Sequence, residues 1–299
     1  MTNDLQKASG ILLSGDLVAF PTETVYGLGA DATSEEACAK IYQLKGRPSN
    51  NPLIVHVSTI EAARSIALFN ELAEILAAKF WPGPLTLVLP LKSNSNIAKI
   101  VTAGLDTIAI RIPSHEIALE LIKTTGKPIA APSANPSGYV SPTSAAHVRK
   151  NFPGLYILEG ANSEYGLEST IIDLTTKPII LRYGFITPES LSQALGQEVI
   201  YNHSYEHIKA PGMMAKHYSP RARLRLNALN LEEGEIGIGF GQVDFELNLS
   251  RSGNLIEAAA NLFDMLQIAD QRSKNIGIAP ILNEGIGLAI NDRLKRAAS

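Results

Sequence analysis

The sequence lacks the features of a secreted or membrane-spanning protein. One cysteine in 299 residues cannot form an intramolecular disulfide or a cysteine-based metal site, and it favours a reducing compartment. The longest stretch without a charged side chain, residues 128–148, is interrupted by four prolines and cannot span a bilayer. The first residues do not have the pattern of a signal peptide. We therefore expect a soluble protein of the cytoplasm with no membrane contact.

An excess of positive charge is also missing. The 26 basic and 29 acidic side chains give a formal net charge of −3, which argues against non-specific binding to nucleic acid. Hydrophobic residues make up 45% of the chain and charged residues 18%, a composition that supports a large core rather than disorder. At about 150 residues per domain, the length predicts two domains.

Up to about residue 195, short apolar runs alternate with capped helical patterns, which predicts an α/β domain. Several connections are too short for a crossover helix, so the predicted sheet is open, twisted and mixed parallel and antiparallel. The predicted strands are Val18–Phe20, Leu53–Val57, Leu85–Leu89, Thr107–Ile112, Ile129–Ala131, Tyr156–Leu158, Thr170–Leu174 and Ile179–Arg182. The predicted helix N-caps are Thr33, Ser58, Asn70, Thr143 and Thr187.

Residues 199–223 have no apolar face, and their prolines and glycine indicate a linker or lid rather than a packed element. This segment divides a first domain over 1–198 from a small Rossmann-like α/β domain over 224–299. The elements predicted for the second domain are a strand Glu235–Phe240, a helix Leu255–Arg272, a strand Ile276–Ile281 and a helix over 286–296.

Polar or glycine-rich segments follow several predicted strands, which is where ligands bind in open α/β sheets. Residues 21–29 offer hydroxyl groups, Thr24 among them, and glycines that let a small ligand approach the backbone. Composition alone favours an ordinary strand-to-helix loop here. Residues 45–52 place Lys45 and Arg47 on a proline-stiffened loop, and two such cations suit an anion with several oxygens.

Two polar residues within apolar strands and one segment after a strand are further candidates for a functional site. Arg111 interrupts a β-branched run, so it needs an anionic partner, and this partner is either a protein carboxylate or a ligand carboxylate. His56 also lies in an apolar strand, where a lone histidine is more often structural than functional. The segment 129–141 is rich in small residues that leave room for a planar ring or phosphates, with hydrogen-bonding groups on Ser133, Asn135 and Ser141.

Familiar cofactor signatures are absent from the sequence. It contains no Walker A sequence and no HExxH motif, and Gly237, Gly239 and Gly241 lack the last glycine of a dinucleotide fingerprint. His203 and His207 are weak metal candidates in a Pro/Gly-containing segment, and no metal site is predicted.

Several motifs together identify a resemblance. The segments Pro21-Thr-Glu-Thr-Val-Tyr-Gly-Leu-Gly, Lys45-Gly-Arg-Pro, Phe80-Trp-Pro-Gly-Pro-Leu-Thr, Arg111-Ile-Pro and Ala131-Pro-Ser-Ala-Asn strongly resemble the YrdC-like family. The linker Pro211-Gly-Met-Met-Ala-Lys-His-Tyr-Ser-Pro and the ending Arg293-Leu-Lys-Arg-Ala-Ala resemble its longer, two-domain form. The resemblance covers nearly the whole chain, although the C-terminal domain is short for that form.

The resemblance implies an enzyme that makes threonylcarbamoyl-AMP and pyrophosphate from L-threonine, bicarbonate and ATP. The product would pass to a tRNA threonylcarbamoyl transferase. No protein nucleophile is required, because a carbamate oxygen attacks the α-phosphate and the protein positions the reactants and neutralises charge. Mg²⁺ bound with ATP would share that neutralisation.

The family pattern also implies roles for residues of this chain. It places L-threonine near Thr24, His56, Arg111, Ala131 and Ser169, with Arg111 on the amino-acid carboxylate. It places ATP near Lys45, Arg47, Asn51, Thr107, Ser133, Asn135, Ser141, Arg182 and Tyr218. Lys45 and Arg47 are the residues expected to take part in catalysis.

Three rival readings stay open at this point. The chain could be a weak RNA-binding module, although its net charge and 6% aromatic content do not favour one. It could be a carbamoyl-transfer enzyme of the hydrogenase-maturation type, but the acylphosphatase and zinc-finger segments of that type are missing. It could also be a paralogue that binds nucleotide without synthase activity.

Overall fold

The computed structural model, which describes residues 2–201 and 217–299, has two α/β units. The first contains a ten-stranded sheet whose strands lie in the order β10-β9-β8-β4-β5-β3-β6-β2-β1-β7. These strands are β1 (Val18–Phe20), β2 (Gly27–Asp31), β3 (Ile54–His56), β4 (Leu85–Pro90), β5 (Thr107–Arg111), β6 (Ile129–Ala130), β7 (Tyr156–Ile157), β8 (Thr170–Asp173), β9 (Ile179–Arg182) and β10 (Ile200–Tyr201). Five neighbouring pairs are antiparallel and four are parallel, so the predicted mixed sheet is confirmed.

The helices of the first unit connect these strands. They are α1 (Thr2–Leu13), α2 (Glu35–Lys45), α3 (Ile60–Ile66), α4 (Glu71–Phe80), α5 (Glu116–Thr125), α6 (Ala145–Asn151) and α7 (Pro188–Leu195), with a 3₁₀ turn at Lys99–Thr102. The predicted caps Asn70 and Thr187 are confirmed. Three others were predicted one residue early.

Ser34, Thr59 and Ser144 are the true caps, in place of the predicted Thr33, Ser58 and Thr143. Each has an extended backbone, and its hydroxyl oxygen accepts from the backbone N–H three residues on. The Thr33 hydroxyl instead donates to Asp31 at 2.7 Å, which removes it from the capping position.

Strand β2 was not predicted, because its glycines resemble a loop. The strand pairs antiparallel with β1, and the Phe20 ring lies over its glycines. A Cβ atom added to Gly29 would lie 2.8 Å from the ring of Phe20. Glycine is therefore required here by close packing against an aromatic ring, and the prediction of a loop across residues 27–29 was wrong.

Alternation along the strands sorts side chains onto two faces of the sheet. Val55 and Ile110 pack in the main core with the helices on one face, whereas Ile54 and Ala109 belong to a smaller cluster on the other. His56 and Arg111 lie two residues beyond Ile54 and Ala109, so they project from that second face. Strands β3 and β5 are parallel, and their register sets His56 directly opposite Arg111.

The second unit has an all-parallel sheet in the order β11-β14-β12-β13. Its elements are β11 (Arg223–Leu226), β12 (Glu235–Gly239), β13 (Leu247–Asn248), α8 (Leu255–Arg272), β14 (Asn275–Ile278) and α9 (Gly287–Ala297). The predicted order of strand, helix, strand and helix is present, and β11 and β13 are additional. In the two described ranges, each helix is too short or too polar to cross a bilayer.

A strand lies at each end of the predicted linker. β10 pairs with β9 of the first sheet, beyond the predicted boundary at residue 198, and β11 begins at Arg223. Residues 202–216, which include Pro211-Gly212 and the two histidines at 203 and 207, lie outside the described residues. The prediction that this segment is a lid is therefore not addressed by the fold.

The two units touch closely at Gly166. This residue has φ +64°, and a Cβ atom there would lie 2.5 Å from the carbonyl oxygen of Ala260 and 2.6 Å from that of Ala259, both in α8. The loop that leads into β8 thus lies directly against the backbone of a helix from the second unit.

We predict that Gly166→Ala destabilises the protein more than Gly196→Ala. Both glycines have φ +64°, so both substitutions carry the left-handed backbone cost of about 1–2 kcal/mol. Nothing lies within 4 Å of a Cβ atom at Gly196, so only Gly166→Ala adds a clash between the units. Urea unfolding measures the difference, and equal losses of unfolding free energy would show that the contact at Gly166 is loose.

Candidate functional site

A cavity of about 50 Å³ opens on the second face of the first sheet. All five residues predicted to contact L-threonine line it: Thr24, His56, Arg111, Ala131 and Ser169. Three of the nine residues predicted to contact ATP also line it: Arg47, Ser133 and Arg182. Six separate parts of the chain therefore meet here, at residues 24, 47–56, 111, 131–133, 169 and 182.

Main-chain pairing brings the two polar loops together. Gly27 forms an isolated bridge with Ser133, and the backbone N–H of Leu28 donates to the carbonyl of Pro132 at 2.8 Å. The N–H of Ala131 donates to the carbonyl of Ile54 at 2.9 Å. These bonds align the 131–135 loop beside the strands that carry His56 and Arg111.

Arg111 has a protein carboxylate as its partner. Its Nη2 lies 2.6 Å from Oε1 of Glu23, and both side chains are buried. Its Nη1 donates to the Thr24 hydroxyl at 2.9 Å and its Nε to the carbonyl of Gly83 at 3.1 Å. Burial favours the neutral acid, but Arg111 and the N–H of Ser114 hold the pKa of Glu23 below its ordinary value. Arg111 therefore has a protein carboxylate as one partner, and its side chain lines the cavity, where a ligand can also reach it.

His56 is uncharged at neutral pH. Burial, assisted by the charge of Arg111, lowers its pKa to about 3. The ring packs edge-on against Phe20 at 6.3 Å, and its Nδ1 has no hydrogen-bond partner among the described residues. A buried polar atom without a partner, in the wall of a cavity, is suited to bind a ligand.

His217 forms another part of the wall. Burial lowers its pKa to about 3 as well, and its Nδ1 also has no partner in the described part of the chain. His217 additionally lines a neighbouring pocket of about 390 Å³, which Gly46, Pro48 and Ser137–Tyr139 border. The cavity itself has room for roughly four waters, whereas the neighbouring pocket is several times larger.

The two cations of the 45–52 loop are held by backbone carbonyls. The Nζ of Lys45 donates to the carbonyls of Ser133, at 2.6 Å, and Asn135. Arg47 donates to the side chain of Asn51 and to the carbonyl of Pro52, both at 2.7 Å. Burial lowers the pKa of Lys45 and brings that of Arg47 to about 10. The two cations of the predicted anion loop are therefore buried and held in place, with Lys45 directly behind Ser133.

Arg182 comes from the end of β9 and is bound to Ser169. Its Nη2 donates to the carbonyl of Ser169 at 2.9 Å and to the hydroxyl at 3.1 Å, and that hydroxyl is 2.7 Å from the hydroxyl of Thr86. Burial lowers the pKa of Arg182 below its ordinary value. A third buried cation thus faces the same cavity as Arg47 and Arg111.

The other residues predicted to contact ATP lie outside the cavity wall. The Asn135 amide donates within its own loop, to the carbonyls of Pro136 and Tyr139. Tyr218 is fully buried and stacks on Phe263 of the second unit at 5.6 Å. Only its neighbour His217 reaches the cavity.

Thr107 is not brought to the site. It begins β5 and pairs with Pro90, whereas Arg111 ends the same strand, so the two are roughly 13 Å apart. Thr107 does not line the cavity, and its contact with ATP stays a prediction.

Sequence reasoning left the carboxylates of the site without roles. Glu23 pairs with Arg111, and Glu168 lines the cavity and accepts from Ser141. Glu23 stands within a recognised motif, and the rule that a buried cation needs a buried anion would have paired it with Arg111. Glu168 lies outside those motifs and directly precedes the predicted contact Ser169. In residues 2–201 and 217–299, no group of three or more His, Cys, Asp or Glu side chains could hold a metal ion.

Comparison with known proteins places this chain among relatives. A Sua5/YciO/YrdC family model, described as telomere recombination, matches residues 10–184, and a threonylcarbamoyl-AMP synthase C-terminal domain model matches residues 186–299. A threonylcarbamoyl-AMP synthase of Pyrococcus abyssi is 43% identical over 97% of this chain and 93% of its own length. One of Bacillus subtilis is 40% identical over 99% and 94%.

A solved structure is also similar. The crystal structure of P. abyssi Sua5 complexed with L-threonine superimposes with a TM-score of 0.91 at 40% identity. The match covers 98% of this chain and 94% of that one. The architecture of both units is therefore shared with a protein that binds L-threonine.

We predict that stability falls with acid because two buried histidines stay neutral. The ordinary pKa of histidine is 6.5 and both values here are about 3, so the unfolded chain binds more protons between those limits. Unfolding free energy should therefore rise with pH across this window and level off above it.

In His56→Gln the slope at pH 5 should be smaller by about 1.4 kcal/mol per pH unit, the contribution of one proton. Urea unfolding at closely spaced pH values measures both slopes. Identical slopes for wild type and variant would mean that His56 is protonated in the folded protein.

Proposed function

The chain belongs to the two-domain threonylcarbamoyl-AMP synthase family, and we propose that its cavity joins L-threonine, bicarbonate and ATP into threonylcarbamoyl-AMP with release of pyrophosphate. The observation that carries the proposal is the meeting of Thr24, His56, Arg111, Ala131 and Ser169 in one cavity wall. These residues come from distant parts of the chain, and a relative with the same architecture binds L-threonine.

Threonine has a carboxylate, an ammonium group and a hydroxyl, and the cavity offers a partner for each. Arg111 receives the carboxylate, because it is already oriented by Glu23 and Gly83. The partnerless Nδ1 of neutral His56 is available for a polar group of the amino acid, and the Thr24 hydroxyl, which accepts from Arg111, lies in the same wall. Ala131 leaves space beside them.

The reaction balances without a protein nucleophile. The threonine ammonium group first loses a proton to solvent, and the free amine attacks the carbon of bicarbonate, forming the C–N bond of a carbamate with loss of water. A carbamate oxygen then attacks the α-phosphorus of ATP, and the bond to pyrophosphate breaks. The protein contributes orientation of two anions that would otherwise repel each other, together with fixed positive charge on the leaving group.

Lys45, Arg47 and Arg182 supply that positive charge. Their donors are fixed by carbonyl and hydroxyl oxygens, so they need no rearrangement when phosphate charge develops. Mg²⁺ comes with ATP as part of the substrate. Glu168, the carboxylate that lines the cavity in the described ranges, is engaged by Arg293 and Ser141 and does not offer a protein ligand for the ion.

The mixed anhydride product is open to attack by water, so it must be consumed soon after release. The proposed recipient is a tRNA threonylcarbamoyl transferase, and the proposed location is the cytoplasm, which the free, buried thiol of Cys38 supports. Direct RNA binding is not part of the proposal, because the net charge is −3.

Pyrophosphate release tests the function directly. We expect release from ATP to require both L-threonine and bicarbonate, since the attacking oxygen belongs to the carbamate. Omission of either should lower the rate to background. Release that is unaffected by threonine would identify a simple ATP hydrolase, and no release at all would identify a silent nucleotide-binding paralogue.

Comparing a substitution at the site with a control on the same helix tests whether the site carries the activity. Lys45→Met removes a cation held by Ser133 and should raise the KM for ATP roughly 10- to 100-fold, the size of one hydrogen bond to a charged group. Lys40→Met is the matched control on the same helix, because Lys40 is exposed and pairs with Asp16. Equal effects of the two substitutions would remove Lys45 from the nucleotide site.

A further inference from the structure

An arginine of the second unit is completely buried next to the cavity. Arg293 lies on α9, and its side chain is 0% exposed. Its Nε is 3.0 Å from Oε2 of Glu168, its Nη2 donates to the carbonyl of Tyr183 at 2.7 Å, and its Nη1 is 3.0 Å from Asp292. Two of these three partners belong to the first unit. Burial of an arginine is costly unless it is paired in this way, so the contact is specific.

The two partners in the first unit sit beside site residues. Glu168 precedes Ser169, and Tyr183 follows Arg182, so Arg293 binds the entry to β8 and the exit from β9 together. Ser169 and Arg182 also bind each other. A single side chain of the second unit therefore fixes the relative position of two segments that line the cavity.

Glu168 is the carboxylate of the cavity wall in the described ranges, and its charge matters for a site that binds polyphosphate. It interacts electrostatically with Lys45 and Arg182 as well as with Arg293. Buried charges this close are screened little by solvent. Without Arg293, the Glu168 charge would be balanced by the cations that face ATP.

We propose that Arg293 is a positioning residue: it binds and neutralises Glu168 from the second unit, so that Lys45 and Arg182 act on the phosphates of ATP. The inference rests on the proposed function, because it concerns the nucleotide half of that site. Through Arg293, the second unit would take part in ATP binding.

The test is a charge-removal rescue in the full-length chain. Arg293→Met should raise the KM for ATP about tenfold and leave the KM for threonine within threefold, because the uncompensated carboxylate repels phosphate. Adding Glu168→Gln should restore most of the ATP affinity. Glutamine removes the charge while its amide oxygen still accepts from the Ser141 hydroxyl.

A merely structural role for Arg293 gives a different result. Loss of packing would not be repaired by a second substitution, so a double variant no better than Arg293→Met would overturn the proposal. An unchanged KM for ATP in Arg293→Met would overturn it as well. Arg296→Met is the matched control, because Arg296 is buried on the same helix and shares Asp292 as partner. Its substitution should lower stability while changing the KM for ATP less than threefold.

Calorimetric titration with ATP separates this inference from the proposed function. If wild type binds ATP but releases no pyrophosphate, the proposed synthase activity is wrong. The ATP dissociation constants of the same variants then still test whether Arg293 supports ATP binding. If Arg293→Met does not fold, Arg293→Lys with and without Glu168→Gln is used. Lysine keeps the charge near Glu168, so this single variant should lose less than threefold in ATP affinity, and a larger loss would contradict the proposal.

Discussion

Pairing of buried cations with groups that the protein itself supplies is the constraint on which the site depends. Arg111 is held by Glu23, Lys45 by the carbonyls of its neighbouring loop, and Arg293 by Glu168. An unpaired charge at these depths would cost several kcal/mol, so each cation is stable only in its observed orientation. The site is consequently built before substrate arrives, and little reorganisation is needed when negative charge develops on phosphate.

The fold delivers these groups through simple geometry. Side-chain alternation puts His56 and Arg111 on one face of the sheet, and the parallel register of β3 and β5 sets them side by side. Backbone bonds of the 131–135 loop add Ser133, and the end of β9 adds Arg182. The second unit closes the arrangement from outside, through Arg293 and the contact at Gly166.

The sequence predicted much of this, and the failures have physical causes. Strands such as Val18–Phe20 and Ile179–Arg182 were predicted with their true limits. A short apolar run bounded by polar residues is typical of a buried strand. Strand β2 was missed because its glycines are required by packing against the Phe20 ring on the neighbouring strand. Local sequence patterns do not reveal a contact between strands. All five residues that the family motifs place near threonine line the cavity. Charge pairing between the units could not be predicted, since Glu168 and Arg293 are 125 residues apart.

The most direct test of the account is calorimetric titration of L-threonine into Arg111→Lys. Lysine keeps a positive charge beside Glu23 but loses the planar fork that receives a carboxylate, so the variant should fold and still bind ATP within threefold of wild type. Its affinity for threonine should fall at least about tenfold, equivalent to about 1.4 kcal/mol. Unchanged threonine affinity would contradict the claim that a buried, pre-oriented Arg111 recognises the amino acid.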